Sequence, residues 1–377
     1  MAAVPARRGT LIVRRKTLIG LLAVSFLLAA CGGDRTSESR AEREAAFDKA
    51  VEAAMEKVKV PGLVVAKLEG CTTSRVITYG VANSETREPV ETNTAMEAAS
   101  LSKPVAAYLL MEMVDQGMVD LDEKVADTLD WPRISDQSAY RRLTPRMLLS
   151  HQTGMPNWAG DSGDPDRDTP LRFAFKPGEK YRYSGEGYGL LQAFLEAKSG
   201  SSLEELFRER LGAVMPMSTF ASGLPEGAIA AYGHGGGGGQ RKGRPLGEPG
   251  APHAAYSLRT VVEDYARFAE RLCSGDGLSA FTYRAFTEPQ VNISRKKRGQ
   301  ISWALGIGRQ QHRGQTTLFH WGDNEQFKAF VAVVPETGQG VVFFANGKNG
   351  LKLIDAVAGP SVGNTDPLIA WLGYGQA

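Results

Sequence analysis

The hydrophobic period changes twice along this 377-residue chain, and that change limits the folds open to it. Phe47, Val51, Met55 and Val58 recur at helical spacing, so residues 41–58 read as an amphipathic helix that Pro61-Gly62 stops. Residues 63–68 and 75–81 are β-rich runs joined by a polar turn, a hairpin. Apolar residues then run through 104–118 too continuously for a surface helix, so this helix should be buried. The middle, roughly 120–290, reads as helices and long loops, clearest at 190–198 and 261–272. Strand patterns return at 303–307, 316–321, 327–334 and 341–345, the last two joined by the turn Pro335-Glu336-Thr337-Gly338, and 351–358 is again helical. Strands at both ends with helices between predict one split α/β (α+β) domain. Its antiparallel sheet is built from both chain ends and flanked by helices, with a mostly helical inserted subdomain.

The first thirty residues stand apart. They hold Arg7, Arg8, Arg14, Arg15 and Lys16 and no acidic residue, followed by an apolar run over 18–30. That run is short for a span of ~30 Å of hydrocarbon but suits the core of an export signal. It ends in Leu28-Ala29-Ala30-Cys31-Gly32, which resembles the lipobox of bacterial lipoproteins. The resemblance implies acylation of Cys31 and a membrane contact through the N-terminal lipid. The expected organisation is an export signal over 1–31, a polar tether over 32–42 and a domain over 43–372. Its α/β part is expected at 43–99 and 297–372, its helical part at 100–296. An exported protein on the periplasmic or outer face of a membrane follows.

The formal charge is +2, and removing the signal takes five positive charges and no negative one, leaving −3. Nothing here argues for nucleic acid as a partner. Cys71, in a turn, and Cys273, near a helix end, carry no sign of adjacency and read as unbonded. His151, His234, His253, His312 and His320 show no metal-ligand spacing, so neither metal nor cofactor is implied. The glycine tract at 233–239 lacks the Gly-Lys-Ser/Thr of a phosphate loop and reads as a loop.

Serine motifs are more informative. Gly359-Pro360-Ser361-Val362-Gly363 has the spacing of a hydrolase nucleophile elbow, but a helix precedes it and no histidine follows. Ser-x-x-Lys occurs at Ser294/Lys297, in a basic run read as a solvated loop, and at Ser100/Lys103, where the buried helix begins. Residues three apart share a helix face. Unpaired N–H groups at a helix start favour a developing oxyanion, and burial there would free the lysine amine to accept a proton. An N-cap serine with a snorkelling lysine has the same spacing.

Four segments follow one another: Ala99-Ser100-Leu101-Ser102-Lys103, Leu148-Leu149-Ser150-His151-Gln152-Thr153-Gly154, Tyr181-Arg182-Tyr183-Ser184-Gly185-Glu186-Gly187-Tyr188 and His320-Trp321-Gly322. With them the chain resembles the serine β-lactamase and penicillin-binding-protein superfamily, nearest its class C β-lactamase, DD-peptidase and esterase branch, over roughly 45–372. The resemblance implies a β-lactamase/transpeptidase-like fold. It also implies Ser100 as acylated nucleophile, Lys103 as general base, and Tyr183 as second proton-transfer residue with a phenolate favoured by Lys103. His320-Trp321-Gly322 stands for the Lys-Thr-Gly strand motif, and the backbone N–H groups of Ser100 and Asp323 for the oxyanion hole.

Two positions depart from that pattern. Gly185 replaces the asparagine of Tyr-x-Asn, and Trp321 replaces a hydroxyl residue, so with Gly322 they alter the substrate-binding surface. Losing two polar contacts should weaken β-lactam or peptide recognition more than acylation itself. The expectation is a serine hydrolase acting on a small-molecule or peptide acyl substrate, most readily an ester. β-Lactamase or DD-carboxypeptidase activity, and non-catalytic peptidoglycan binding, are the alternatives.

Overall fold

The computed structural model of the chain describes residues 39–160, 169–221, 223–236, 244–246, 251–296 and 299–373. The stretch expected as export signal, Cys31, most of the expected tether, part of the glycine tract and Lys297 lie outside them. Ser39 caps the first helix, α1 (Arg40–Val58), in a capping box with Glu42, so the helix opens within the stretch expected as tether. Its buried stripe is Phe47, Val51 and Met55.

The hairpin β1 (Gly62–Glu69) and β2 (Thr72–Gly80) follows. Six strands come from the C-terminal part: β3 (Val291–Lys296), β4 (Gly299–Trp303), β5 (Gly308–His312), β6 (Gln315–Asn324), β7 (Phe327–Val334) and β8 (Gln339–Ala345). They form one antiparallel sheet in the order β2-β1-β8-β7-β6-β5-β4-β3, which joins the two chain ends at the β1–β8 pairing. The period-2 pattern divides the core between its faces. Val342 and Phe344 of β8 point to the side of the buried helix α2 (Ser102–Asp115). Val341, Phe343 and Ala345 point to the side of α1 and the C-terminal helices. Because both faces are covered, β7 is buried along its whole length.

Three local readings change. Residues 303–307 are not a strand: β4 ends at Trp303, and 304–307 form a buried turn into β5, with Gly306 at φ 92°. Its apolar residues face protein rather than a sheet neighbour, Gly306 N–H donating to Leu149 O and Leu305 N–H to Phe286 O. Ser294 lies in the outermost strand β3, not a loop, so the sheet resumes at Val291, before the expected 297 boundary. Cys71 and Cys273 are disulfide-bonded, tying the β1–β2 turn to the end of the helix Val262–Ser274. Ser361 sits inside the helix Ile354–Val362, its hydroxyl donating to Val357 O, far from any elbow geometry.

Candidate active site

Ser100 lies in a 3-10 turn, Ala99–Leu101, that leads into α2. Ala99 has φ 50°, a left-handed conformation uncommon for alanine, and surrounding contacts hold the turn. Ser102 Oγ donates to Ala99 O and accepts from Leu258 N–H, while the Tyr265 hydroxyl donates to Leu101 O. Ser100 is half-buried and reachable; Lys103, one turn on, is buried. The Lys103 Nζ donates to Ser100 Oγ at 3.1 Å and to Ala255 O at 2.8 Å. Burial pushes its amine down to about 7.

Tyr183 precedes the helix α3 (Gly185–Ser199), whose N-cap Ser184 accepts from Gly187 N–H and donates to Pro156 O. His151 fixes this junction: its Nδ1 accepts the Ser184 N–H at 3.1 Å, from a left-handed backbone of φ 56°. The Tyr183 ring lies 4.8 Å from the Lys103 Nζ. Burial raises the Tyr183 phenol well above the usual tyrosine range. Ser100 sits close enough to offset part of that, but no well-formed hydrogen bond joins the two. Burial thus works against the phenolate that the resemblance implies for this tyrosine.

Strand β6 carries the fourth segment. β5 pairs it only from Gln315 to Phe319, so on that side the stretch from His320 to Asn324 extends past its neighbour. Gly322 brings this stretch against the serine turn: a Cβ there would stand 2.4 Å from Ala98 O and 3.1 Å from Ala99 Cβ. Asp323 follows, its carboxylate accepting from Lys328 across the β6–β7 register. The buried His320 contacts Trp321 O through Nδ1 at 2.8 Å, and burial together with nearby Lys103 pushes it down to about 3. A neutral imidazole brings no charge to the cleft. Trp321 stacks on Tyr183 at 5.6 Å and meets Trp371 edge-on at 5.4 Å.

Ser100, Lys103, Tyr183, His320, Trp321 and Gly322 thus come together from one helix start, one helix entry and one strand edge, with Gly185 beside them. Sequence reasoning gave no role to His151, Tyr188 or Trp303, whose rings pack around the same point. His151 stood in a quoted segment and could have been singled out. The carbonyl of Ala255 leaves no side-chain signal.

Comparison with known proteins agrees with this fold. The model of the family described as Beta-lactamase matches residues 47–358. Among curated relatives, Penicillin-binding protein 4* of Bacillus subtilis is 29% identical over 34% of this chain and 31% of its own length. Penicillin-binding protein 4 of Amycolatopsis lactamdurans is 31% identical over 35% of this chain and 37% of its own. The chain spans only about a third of the length of these two. A Beta-lactamase of Pseudomonas fluorescens is 24% identical over 79% of this chain and 92% of its own. The octameric penicillin-binding protein homologue from Pyrococcus abyssi shares the fold, with a TM-score of 0.72 at 22% identity over 88% of this chain and 78% of that one. Taken with the fold, the match across most of its length shows that this chain belongs to the beta-lactamase family, in the superfamily of serine β-lactamase and penicillin-binding-type hydrolases.

Proposed function

We propose that the protein is an acyl hydrolase that forms an acyl-enzyme on Ser100 and prefers esters to β-lactams and D-amino-acid peptides. The observation that carries this reading is the 3.1 Å hydrogen bond from the buried Lys103 amine to the half-exposed Ser100 hydroxyl. With its amine near 7, Lys103 is largely neutral above pH 7 and can take the Ser100 proton as Oγ attacks the acyl carbon. The N–H groups of Ser100 and Asp323 hold the carbonyl oxygen as it becomes negative. Tyr183, a protonated phenol beside Lys103, hands a proton to the leaving alkoxide and recovers one from the Lys103 ammonium. Water then attacks the acyl-enzyme, gives its proton to Lys103, and the acid departs as Ser100 Oγ is reprotonated.

Substrate preference follows from what lines the cleft. Above pH 7 none of Lys103, Tyr183 and His320 carries a charge, and Trp321 presents an apolar face. An uncharged ester enters such a site at lower desolvation cost than a carboxylate-bearing β-lactam or peptide. The β-lactamase reading draws on the long match to the Pseudomonas fluorescens enzyme and is settled by the same assay.

A fluorophosphonate should add one adduct to the wild type and none to Ser100→Ala, by intact mass. An equal adduct on Ser100→Ala would overturn the reading. Among p-nitrophenyl acyl esters, nitrocefin and a D-Ala-D-Ala peptide, the ester should turn over fastest; a dominant nitrocefin rate assigns the chain to β-lactam hydrolysis instead.

We also propose that the chain is a lipoprotein anchored through Cys31 on an exported face of the membrane. The Cys71–Cys273 disulfide supports an oxidising compartment. Metabolic labelling with a palmitate analogue should mark the wild type and not Cys31→Ser; equal labelling of both would refute the anchor.

A further inference from the structure

Gly185 has no room for a side chain. A Cβ on it would stand 2.3–2.6 Å from the six-membered ring of Trp158. The residue lies in ordinary helical backbone at the start of α3, so the indole, not the backbone, demands glycine.

Trp158 is held from both sides. Gly185 N–H donates to Asn157 Oδ1 at 2.9 Å and Glu186 N–H to Asn157 O at 3.0 Å. Ala159 N–H donates to Glu186 Oε1 at 3.1 Å, and Arg133 grips both oxygens of that carboxylate at 2.7 and 3.1 Å. Arg133 is the positioning residue of this loop. Behind the half-buried indole, Tyr256 and His253 meet it edge-on at 5.7 and 5.8 Å and stack on each other at 4.6 Å. Tyr256 directly follows Ala255, whose carbonyl accepts from Lys103. The aromatic cluster therefore links the start of α3, two residues after Tyr183, to the residue that follows the Ala255 carbonyl.

We propose that Trp158, backed by Tyr256 and His253, is the specificity-determining wall for the acyl group, and that the site takes esters whose acyl part is flat, apolar and free of an amide branch next to the carbonyl. This rests on the acylation of Ser100 proposed above. An aryl acyl group gains ring contact with a surface already fixed in place. An acylamino branch would bury its N–H and C=O against an indole face that offers neither donor nor acceptor.

The test compares kcat/KM for the p-nitrophenyl esters of phenylacetate and of N-acetylphenylglycine, which differ by that branch alone. The wild type should favour phenylacetate by roughly ten-fold or more, Trp158→Phe should keep the preference, and Trp158→Ala should lose most of it. An unchanged ratio in Trp158→Ala, folded by circular dichroism and with the wild type labelled by fluorophosphonate, overturns the wall and leaves the acyl-enzyme reading standing. An unlabelled wild type overturns both. A melting experiment tests the steric pairing without chemistry: Gly185→Ala should lower the Tm of the wild type and not that of Trp158→Ala. An equal loss in both backgrounds refutes it.

Discussion

Replacing Lys103 by methionine should make this protein inactive and, at low pH, more stable. Burial moves the Lys103 amine from its ordinary 10.5 to about 7. Below pH 7 the folded chain therefore holds a buried ammonium at a cost of about 5 kcal/mol, from a gap of about 3.5 pH units at 1.36 kcal/mol each. Between pH 7 and 10.5 the unfolded chain binds the proton and the folded chain does not, so stability rises with pH across that window. By pH 9 the cost has fallen to about 2 kcal/mol. Methionine removes the charge at similar volume but forfeits the hydrogen bonds to Ser100 Oγ and Ala255 O, about 1 kcal/mol each. The net expectation is a gain of about 2–3 kcal/mol at pH 6, vanishing near pH 9. Urea unfolding of both proteins from pH 6 to 9 measures this. A variant less stable at pH 6, by a margin that does not change up to pH 9, would refute the argument that burial of the amine is what primes Ser100.

Three further outcomes follow from the same geometry. Fluorophosphonate labelling of Ser100 should rise through pH 7 as Lys103 loses its proton, with only about 1% of the amine neutral at pH 5; a flat profile from 5 to 9 contradicts the assignment of the base. Gly322→Ala places a Cβ 2.4 Å from Ala98 O and must push β6 off the serine turn. It should cost about 1–3 kcal/mol in thermal unfolding and slow labelling at least about ten-fold. The Cys71→Ser/Cys273→Ser pair opens a loop of 202 residues. Chain entropy sets its loss at up to about 5 kcal/mol, read as a lower Tm that matches the wild type under reductant.

Much of this fold was legible because it is written in periodicity. The helical stripe Phe47, Val51 and Met55 and the run 327–334 had to bury apolar residues, and each period allows one way of doing so. Legibility failed where burial and regular structure part company. Residues 304–307 read with Trp303 as a strand, yet they are buried as a turn against Leu149 and Phe286, contacts that local sequence does not encode. Cys71 and Cys273 lie 5.4 Å apart at Cα across 202 residues, and no local pattern carries a separation of that size.

The catalytic candidates divide the same way. Ser100, Lys103, Tyr183 and His320 were recognisable from short motifs, since each chemical role needs a particular side chain at a particular local spacing. Their electrostatic states were not, because desolvation depends on everything packed around a group. Only the assembled fold, by burial, lowers the Lys103 amine to about 7, raises the Tyr183 phenol and lowers the His320 imidazole to about 3. Gly185 shows the division most clearly. From sequence it is an absence, a missing asparagine. In three dimensions it is a fit, because Trp158, 27 positions earlier, already fills the space that a side chain there would need.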